Sequence, residues 1–128
     1  MRRIIGIVGS SNMPINDDAE EFILKIIKEI PLYDVIVTGD ASGVDFLVRT
    51  LCIENNRMCS PIYSKEQNFN NGYKKRNQII ADYCDKITSV ALPVTKTPCY
   101  HCGRDDHERT GGCYTGKLNG NYEVRIFR

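Results

Sequence analysis

The chain has 128 residues, of which 17 are Lys or Arg and 16 are Asp or Glu, so its formal net charge is +1. This length predicts one domain, and 41% hydrophobic against 26% charged residues argues against a disordered chain. The balanced charge provides no overall attraction to nucleic acid or to an anionic membrane, and no apolar run approaches the roughly 18 residues of a transmembrane helix. The apolar run after Met1 ends at Gly9, too early for a signal peptide, so we expect a cytoplasmic protein.

Short β-branched runs alternate with helical patterns along the chain. Ile4–Val8 is predicted to be a buried strand, and the helix after it carries apolar residues at helical spacing from Ala19 to Ile30. Asn16 is the expected N-cap of this helix, and Pro31 is expected to end it. The second buried strand is Val35–Thr38.

The rest of the chain continues the same alternation. Gly39–Gly43 is predicted to be a turn, and Ser42 is expected to cap a helix that runs to about Glu54. In the third helix, Ile80, Tyr83 and Cys84 are expected to face inward. The remaining predicted elements are a weaker third strand at Met58–Tyr63, the third helix at Tyr73–Tyr83, a fourth strand at Ile87–Leu92, a short helical segment at Thr115–Leu118 and a final strand at Tyr122–Phe127.

Five strands with helices between them predict one α/β domain over residues 1–128. Continuous apolar runs are typical of strands that are covered on both faces, so we expect a three-layer, Rossmann-like sandwich with a mostly parallel five-stranded sheet. Right-handed crossovers favour the strand order 3-2-1-4-5. Ligands of such sheets bind at the carboxyl ends of the strands, near the switch point between the first and fourth strands.

Small and polar residues fall at these predicted strand ends. Glycine turns and helix N-termini present backbone N–H groups to anions, which favours a nucleotide-sized anionic ligand. A single glycine at a turn more often serves the turn's φ angle than ligand binding. The alternative role for Asp45 is to cap or hydrogen-bond the backbone of its own turn. The candidate ligand-binding residues are Gly9, Ser10, Gly39, Ser42, Gly43, Asp45, Arg76, Asn77, Gly111, Gly112 and Thr115.

Four of these segments resemble the motifs of one superfamily, SLOG, which joins the Rossmann domain of DNA-processing protein A to the LONELY GUY or "lysine decarboxylase-like" proteins. Gly9-Ser10 is similar to the Gly-Ser pair that ends the family's first strand, and Gly39–Asp45 to its Gly-Gly-x-x-Gly-x-Asp turn. Arg76–Ala81 resembles its Arg-Asn-x-Ile-Ile/Val-Ala helix, and Gly111–Thr115 partly resembles its Gly-Gly-x-Gly-Thr loop. The resemblance covers nearly the whole chain, is closest to small stand-alone members of unknown function, and implies a nucleotide-related ligand.

The chain departs from the family pattern at informative positions. Asp40 and Tyr114 replace family glycines, and Asp40 puts a carboxylate where a phosphate is expected. LONELY GUY enzymes place a catalytic Glu one turn after the Gly-Thr pair, but residues 116–119 here are Gly-Lys-Leu-Asn. The resemblance therefore does not imply glycosidase activity. The carboxylates expected near the pocket are Asp40, Asp45 and Glu66.

A Cys/His-rich loop occupies about residues 97–115. Three cysteines cannot all pair with one another, and such a cluster in a cytosolic protein points first to a metal. We predict a structural zinc clip held by Cys99, Cys102, His107 and Cys113, with His101 competing with His107 as the fourth ligand. The alternative is a reduced, metal-free loop. The other cysteines are interpreted as small buried hydrophobic residues rather than disulfide partners: Cys52, Cys59 and Cys84.

These observations favour a module that binds a phosphorylated nucleotide or a related small molecule, as a sensor or binding domain. One alternative is a nucleotide-processing hydrolase on the same pocket that uses Asp40 or Asp45. Another is a DNA-binding module like DNA-processing protein A, which the neutral net charge disfavours. The sequence predicts no membrane partner and leaves open both catalysis and a homo-oligomer.

Overall fold

The computed structural model of the protein describes residues 2–65 and 72–128. Strands and helices alternate along the described chain, as the sequence predicts. The elements are β1 (Ile4–Gly9), α1 (Asp17–Lys28), β2 (Val35–Thr38), α2 (Val44–Glu54), β3 (Cys59–Pro61), α3 (Lys74–Tyr83), β4 (Lys86–Ala91), α4 (Gly111–Asn119) and β5 (Tyr122–Ile126).

The five strands form one all-parallel sheet in the order β3-β2-β1-β4-β5, which confirms the predicted topology. Helices α1 and α2 pack together on one face, where their apolar residues surround Ile7 and Ile36. On the other face, α3 packs beside α4, and its Ile80 contacts a cluster that includes Val37 and Ile87. The result is a three-layer sandwich whose switch point lies between β1 and β4. Within the described residues, no helix is both long and apolar enough to cross a membrane.

The ends of α1 show how local chemistry sets an element's length. Asn16 Oδ1 accepts a hydrogen bond from the Ala19 N–H at 2.9 Å, which confirms the predicted N-cap. The helix ends at Lys28. The Arg57 guanidinium donates to the carbonyls of the last turn and of the following segment, those of Ile27, Ile30 and Pro31. The Ile27 and Pro31 carbonyls also accept backbone bonds from Ile30 and Asp34, so Arg57 adds second bonds that join the end of α1 to the segment after α2.

Three local predictions are wrong. Ser42 does not cap α2, because its hydroxyl donates to the Ser11 carbonyl at 3.2 Å and the N-cap is Gly43, with φ of 71° in the left-handed region. Helix α4 begins at Gly111 rather than Thr115, because Thr110 Oγ1 accepts from the Gly112 N–H and starts the helix earlier. Tyr83 is exposed instead of facing inward.

Candidate metal centre and ligand site

Four side chains that could bind a metal meet where the loop after β4 joins α4. One ligand atom from each of Cys99, Cys102, His107 and Cys113 lies within 4.8 Å of the others. The His107 Nε2 atom is 3.2 Å from Cys102 Sγ and 3.9 Å from Cys113 Sγ. In a tetrahedral zinc site, bonds of about 2.3 Å to sulfur and about 2.0 Å to nitrogen separate the ligands by about 3.5–3.8 Å. The donor set is therefore compatible with a metal such as zinc.

The His107 ring is oriented by its own backbone neighbour. Nδ1 lies 2.9 Å from the Glu108 carbonyl oxygen, an acceptor, so Nδ1 carries the proton and Nε2 presents its lone pair to the thiols. His107 and Cys113 are completely buried, Cys99 is nearly so, and Cys102 is partly exposed. A metal there would be enclosed by protein on all but the Cys102 side.

The loop that carries these residues is tied down by the side chain of Glu108. Its carboxylate accepts hydrogen bonds from the backbone N–H groups of Thr95, Lys96 and Thr97, and these bonds lower its pKa to about 2. The main chain adds a bond from the Cys99 N–H to the His107 carbonyl at 3.1 Å. Sequence reasoning missed Glu108, because nothing in its spacing shows that three loop amides converge on it.

Backbone amides also surround the sulfur of Cys99. Burial opposes ionisation of this thiol, but the N–H groups of Cys102, Thr110 and His101 donate to the sulfur and hold its pKa below the ordinary value. Hydrogen bonds to a thiolate favour the charged form that metals bind. The loop therefore favours the ligand form of Cys99 through its own main chain.

Cys113 lies in the first turn of α4, and burial raises its pKa. Its sulfur is 3.3 Å from the hydroxyl oxygen of Ser89 in β4, a contact that the sequence did not reveal. Three thiolates and a neutral imidazole around a divalent cation would leave a net charge of −1. The helix N-terminus and the nearby Arg104, whose pKa is raised by Asp106 and then by the thiols, help to balance that charge.

His101, the competing ligand, lies outside the four-residue cluster. Its ring packs against Tyr100, with centroids 4.4 Å apart, and against Tyr114, with centroids 5.6 Å apart. Burial lowers the pKa of His101, and the positive charges of Arg109 and Lys117 lower it further. The structure thus groups the three thiols with His107 and places His101 in a separate set of aromatic rings.

The predicted ligand residues meet at the carboxyl edge of the sheet, although several are used for close packing. A Cβ on Gly112 would lie 2.6 Å from Ser89 Oγ and 3.0 Å from the Gly9 Cα. A Cβ on Gly43 would lie 2.4 Å from the Ser10 carbonyl oxygen. These glycines let α4 and α2 approach the end of β1 closely.

A buried ionic cluster occupies the same edge beside Gly39. The Arg76 side chain is 7% exposed, and its Nη1 lies 2.6 Å from Asp40 Oδ1 and 3.8 Å from Asp45 Oδ2. Its Nε and Nη2 both donate to Asn77 Oδ1, at 3.2 and 2.8 Å. A Cβ on Gly39 would stand 2.8 Å from the guanidinium carbon, so glycine leaves room for Arg76.

The two carboxylates of this cluster differ in protonation behaviour. Burial raises the pKa of Asp45 to about 6, although Arg76 opposes the shift. Burial also acts on Asp40, but hydrogen bonds from Arg76 and Ser64 outweigh it and hold the pKa below the ordinary value. Asp45 Oδ2 accepts from the Ala41 N–H at 3.3 Å, which is the alternative role in which Asp45 bonds its own turn, and Oδ1 accepts from the Thr38 hydroxyl.

Of the other predicted ligand residues, some lie at the carboxyl edge of the sheet and Thr115 lies inside α4. Asn77 reaches Gly111, since a Cβ there would lie 3.6 Å from Asn77 Nδ2. Thr115 is buried and its hydroxyl donates to the Gly111 carbonyl at 3.0 Å, so it bonds its own helix. Ser10 Oγ accepts from the Asn12 N–H at 3.1 Å. Glu66 lies outside the described residues.

Two clefts among the described residues lie away from this edge. One, of about 100 Å³, is at the amino edge of the sheet between Arg3, Glu29 and Lys86. The other, of about 380 Å³, follows the outside of α1 near Phe127. Neither contains a residue of the ionic cluster or of the metal-ligand cluster.

No protein-family model matches the chain, and neither a curated protein nor a solved structure matches it. The resemblance to the SLOG superfamily therefore depends on the motif residues alone. A functional proposal for the chain therefore rests on the fold, the metal-ligand cluster and the ionic cluster of Arg76 at the carboxyl edge of the sheet.

Proposed function

We propose that the chain is a binding module for a nucleotide or nucleotide derivative, with its ligand site at the carboxyl edge between β1 and β4. The observation that carries the proposal is the meeting of distant segments at this edge. Gly39 lies against Arg76, Gly111 against Asn77, and Gly112 against Gly9. Small residues and helix N-termini at a switch point are the usual setting for phosphate binding in parallel sheets, and the SLOG resemblance supports the same ligand class.

Arg76 is the group we assign to the phosphate. Its bonds to Asn77 and Asp40 use three of its five N–H donors within the described part of the chain. The remaining donors suit a phosphate oxygen, which guanidinium groups bind in a fixed geometry. Because its protein partners already hold the side chain, little rotamer freedom would be lost on binding.

We further propose that zinc occupies the Cys99, Cys102, His107 and Cys113 cluster as a structural clip. Four protein ligands complete a tetrahedral site and leave no open position for a substrate, which is typical of structural zinc. The metal would join the loop after β4 to the first turn of α4, where Cys113 directly follows Gly112. Its role is to fix the backbone beside the ligand site.

The test is a thermal-shift screen of nucleotides followed by calorimetry. We expect a Kd in the micromolar range, about −8 kcal/mol. Arg76→Ala is expected to weaken binding by about 1.5–3 kcal/mol, the loss of a charge-assisted hydrogen bond. Arg3→Ala is the control, because Arg3 is an ion-paired arginine at the opposite edge of the sheet. Absence of any nucleotide shift contradicts the proposal, and an unchanged Kd in Arg76→Ala removes that residue from the site.

A hydrolase on the same surface has one observation in its favour, the pKa of Asp45 of about 6, which suits proton transfer near neutral pH. However, Asp45 is only 2% exposed, and Asp40 is already bonded to Arg76 and Ser64. Incubation with nucleoside monophosphates is expected to release no free base. Base release that disappears in Asp45→Asn would instead support the hydrolase.

A further inference from the structure

We propose that Tyr100, His101 and Tyr114, here called the aromatic cluster, form the subsite that stacks the base of the ligand. This inference rests on the proposed function and assigns a second part of the same site. The Tyr100 and His101 ring centroids are 4.4 Å apart, and those of His101 and Tyr114 are 5.6 Å apart. Tyr100 is 63% exposed, so its ring adds little to the core. His101 and Tyr114 are half-buried and meet edge-to-face, so they support the exposed Tyr100 ring, and a supported exposed ring is a common platform for a nucleobase.

The positions of the rings in the chain explain how they are held. Tyr100 and His101 lie between Cys99 and Cys102, and Tyr114 follows Cys113 directly. Three of the four residues of the metal-ligand cluster thus flank the aromatic residues. The side chains of Cys99 and Cys113 are buried next to Tyr100 and Tyr114, which restrains the backbone there and lowers the entropy that would be lost when a ligand stacks on the rings.

Helix α4 links the aromatic cluster to the ionic cluster of Arg76 through contacts at both ends of one face. Gly111 and Tyr114 are three residues apart on α4 and so lie on the same helix face. At one end of this face, a Cβ on Gly111 would contact Asn77, whose side chain is bonded to Arg76. At the other end, Tyr114 contacts His101. A phosphate near Arg76 and a base near the rings would therefore be bound on one side of α4.

The charges around the aromatic cluster fit a base that carries a phosphate. The Arg109 guanidinium lies 5.9 Å from the centre of the Tyr100 ring, and Lys117 lies on α4 three residues after Tyr114. In residues 2–65 and 72–128, neither cation has a carboxylate within 4.0 Å. The acidic neighbours are engaged elsewhere, Asp106 with Arg104 and Glu108 with loop amides. Arg109 and Lys117 therefore place positive charge on the same side of the domain as the rings.

The experiment compares adenosine 5′-monophosphate with ribose 5-phosphate, which lacks the base, by calorimetry on the full chain. Tyr100→Leu is expected to weaken binding of the nucleotide by about 5- to 150-fold, the usual loss of one stacked base, and to leave ribose 5-phosphate binding unchanged. Tyr100→Phe retains the ring and is expected to bind as the wild type does. Tyr33→Leu is the matched control, because Tyr33 is 57% exposed and precedes β2 at the opposite edge of the sheet.

The outcomes separate this inference from the proposed function. If Arg76→Ala weakens nucleotide binding but Tyr100→Leu does not, the base-stacking subsite is wrong and the proposed function stands. If Tyr100→Leu weakens both ligands equally, the ring does not bind the base, and the inference is again overturned. If neither ligand nor any nucleotide of the thermal-shift screen binds the wild-type protein, both proposals fail; if another nucleotide binds, it replaces adenosine 5′-monophosphate in the same comparison. Circular dichroism and Tm of each variant show whether a loss of binding reflects a loss of folding.

Discussion

The Nη1 atom of Arg76 lies 2.6 Å from Oδ1 of Asp40, and both side chains are almost completely buried. This pair connects α3 to the turn after β2, and Asp40 is bonded further to Ser64. Removing one member of a buried ion pair leaves the other charge without compensation. The pair therefore holds Arg76 in place and also neutralises part of the charge that a phosphate would meet.

The first prediction concerns that neutralisation. Asp40→Asn retains an oxygen that can accept from Arg76 but removes one negative charge from the site. We expect a phosphate-bearing ligand to bind about three- to tenfold more tightly, because a like charge beside it is gone. Stability is expected to fall by about 1–2 kcal/mol, because the charge-assisted bonds of Arg76 and Ser64 weaken. Calorimetry and urea unfolding measure the two effects.

Asp82→Asn is the control for this substitution, since Asp82 is exposed on α3 and its loss changes the net charge equally. It is expected to change neither affinity nor stability appreciably. Weaker ligand binding in Asp40→Asn would show that the carboxylate positions Arg76 more than it repels phosphate.

The second prediction concerns the approach of α4 to β1. In Gly112→Ala the new Cβ would lie 2.6 Å from Ser89 Oγ and 3.0 Å from the backbone of Gly9. We expect a loss of about 1–3 kcal/mol from overpacking, measured by urea unfolding. Gly111→Ala is the control one residue earlier, where the nearest atom is 3.6 Å away at Asn77, and it should be neutral or slightly stabilising. Equal stability of the two variants would contradict the packing argument.

The third prediction concerns pH. The pKa of Asp45 is raised from 3.8 to about 6 by burial, so its contribution to stability is fully present below pH 3.8 and is lost as the pH rises through 6. Asp45→Asn removes this dependence. The stability of the variant relative to the wild type is therefore expected to increase by about 1–3 kcal/mol between pH 4 and pH 7. A constant difference in urea unfolding across that range would show that Asp45 titrates normally.

The strand order could be predicted because each strand is recognisable from the apolar pattern of its own short segment. Val35–Thr38 is a continuous apolar run, which indicates a buried parallel strand, and right-handed crossovers then leave few possible orders. The start of α4 was missed because Gly111 and Gly112 are poor helix formers, and the Thr110 cap that offsets them is inconspicuous beside the cysteine loop.

The candidate site could be predicted only where its residues are close to one another in the sequence. The spacing of Cys99, Cys102, His107 and Cys113 within one short segment predicts a metal-ligand set, and the structure brings these four side chains together. The choice of His107 over His101 depends on a backbone carbonyl and on ring contacts that exist only in the folded loop. The bond between Arg76 and Asp40, which are 36 residues apart, likewise forms only when α3 reaches the end of β2.

The last prediction concerns the metal. Because Cys113 belongs to both the metal-ligand cluster and the first turn of α4, zinc removal by a chelator is expected to lower the Tm and to weaken nucleotide binding together. Elemental analysis of protein expressed with zinc should give about one equivalent, and Cys113→Ser should lose most of it. Cys84→Ser is the control, since Cys84 is also buried but lies outside the cluster, and it should lose some stability while retaining the metal. Full metal content in Cys113→Ser, or less than about a tenth of an equivalent in the wild type, would contradict the clip.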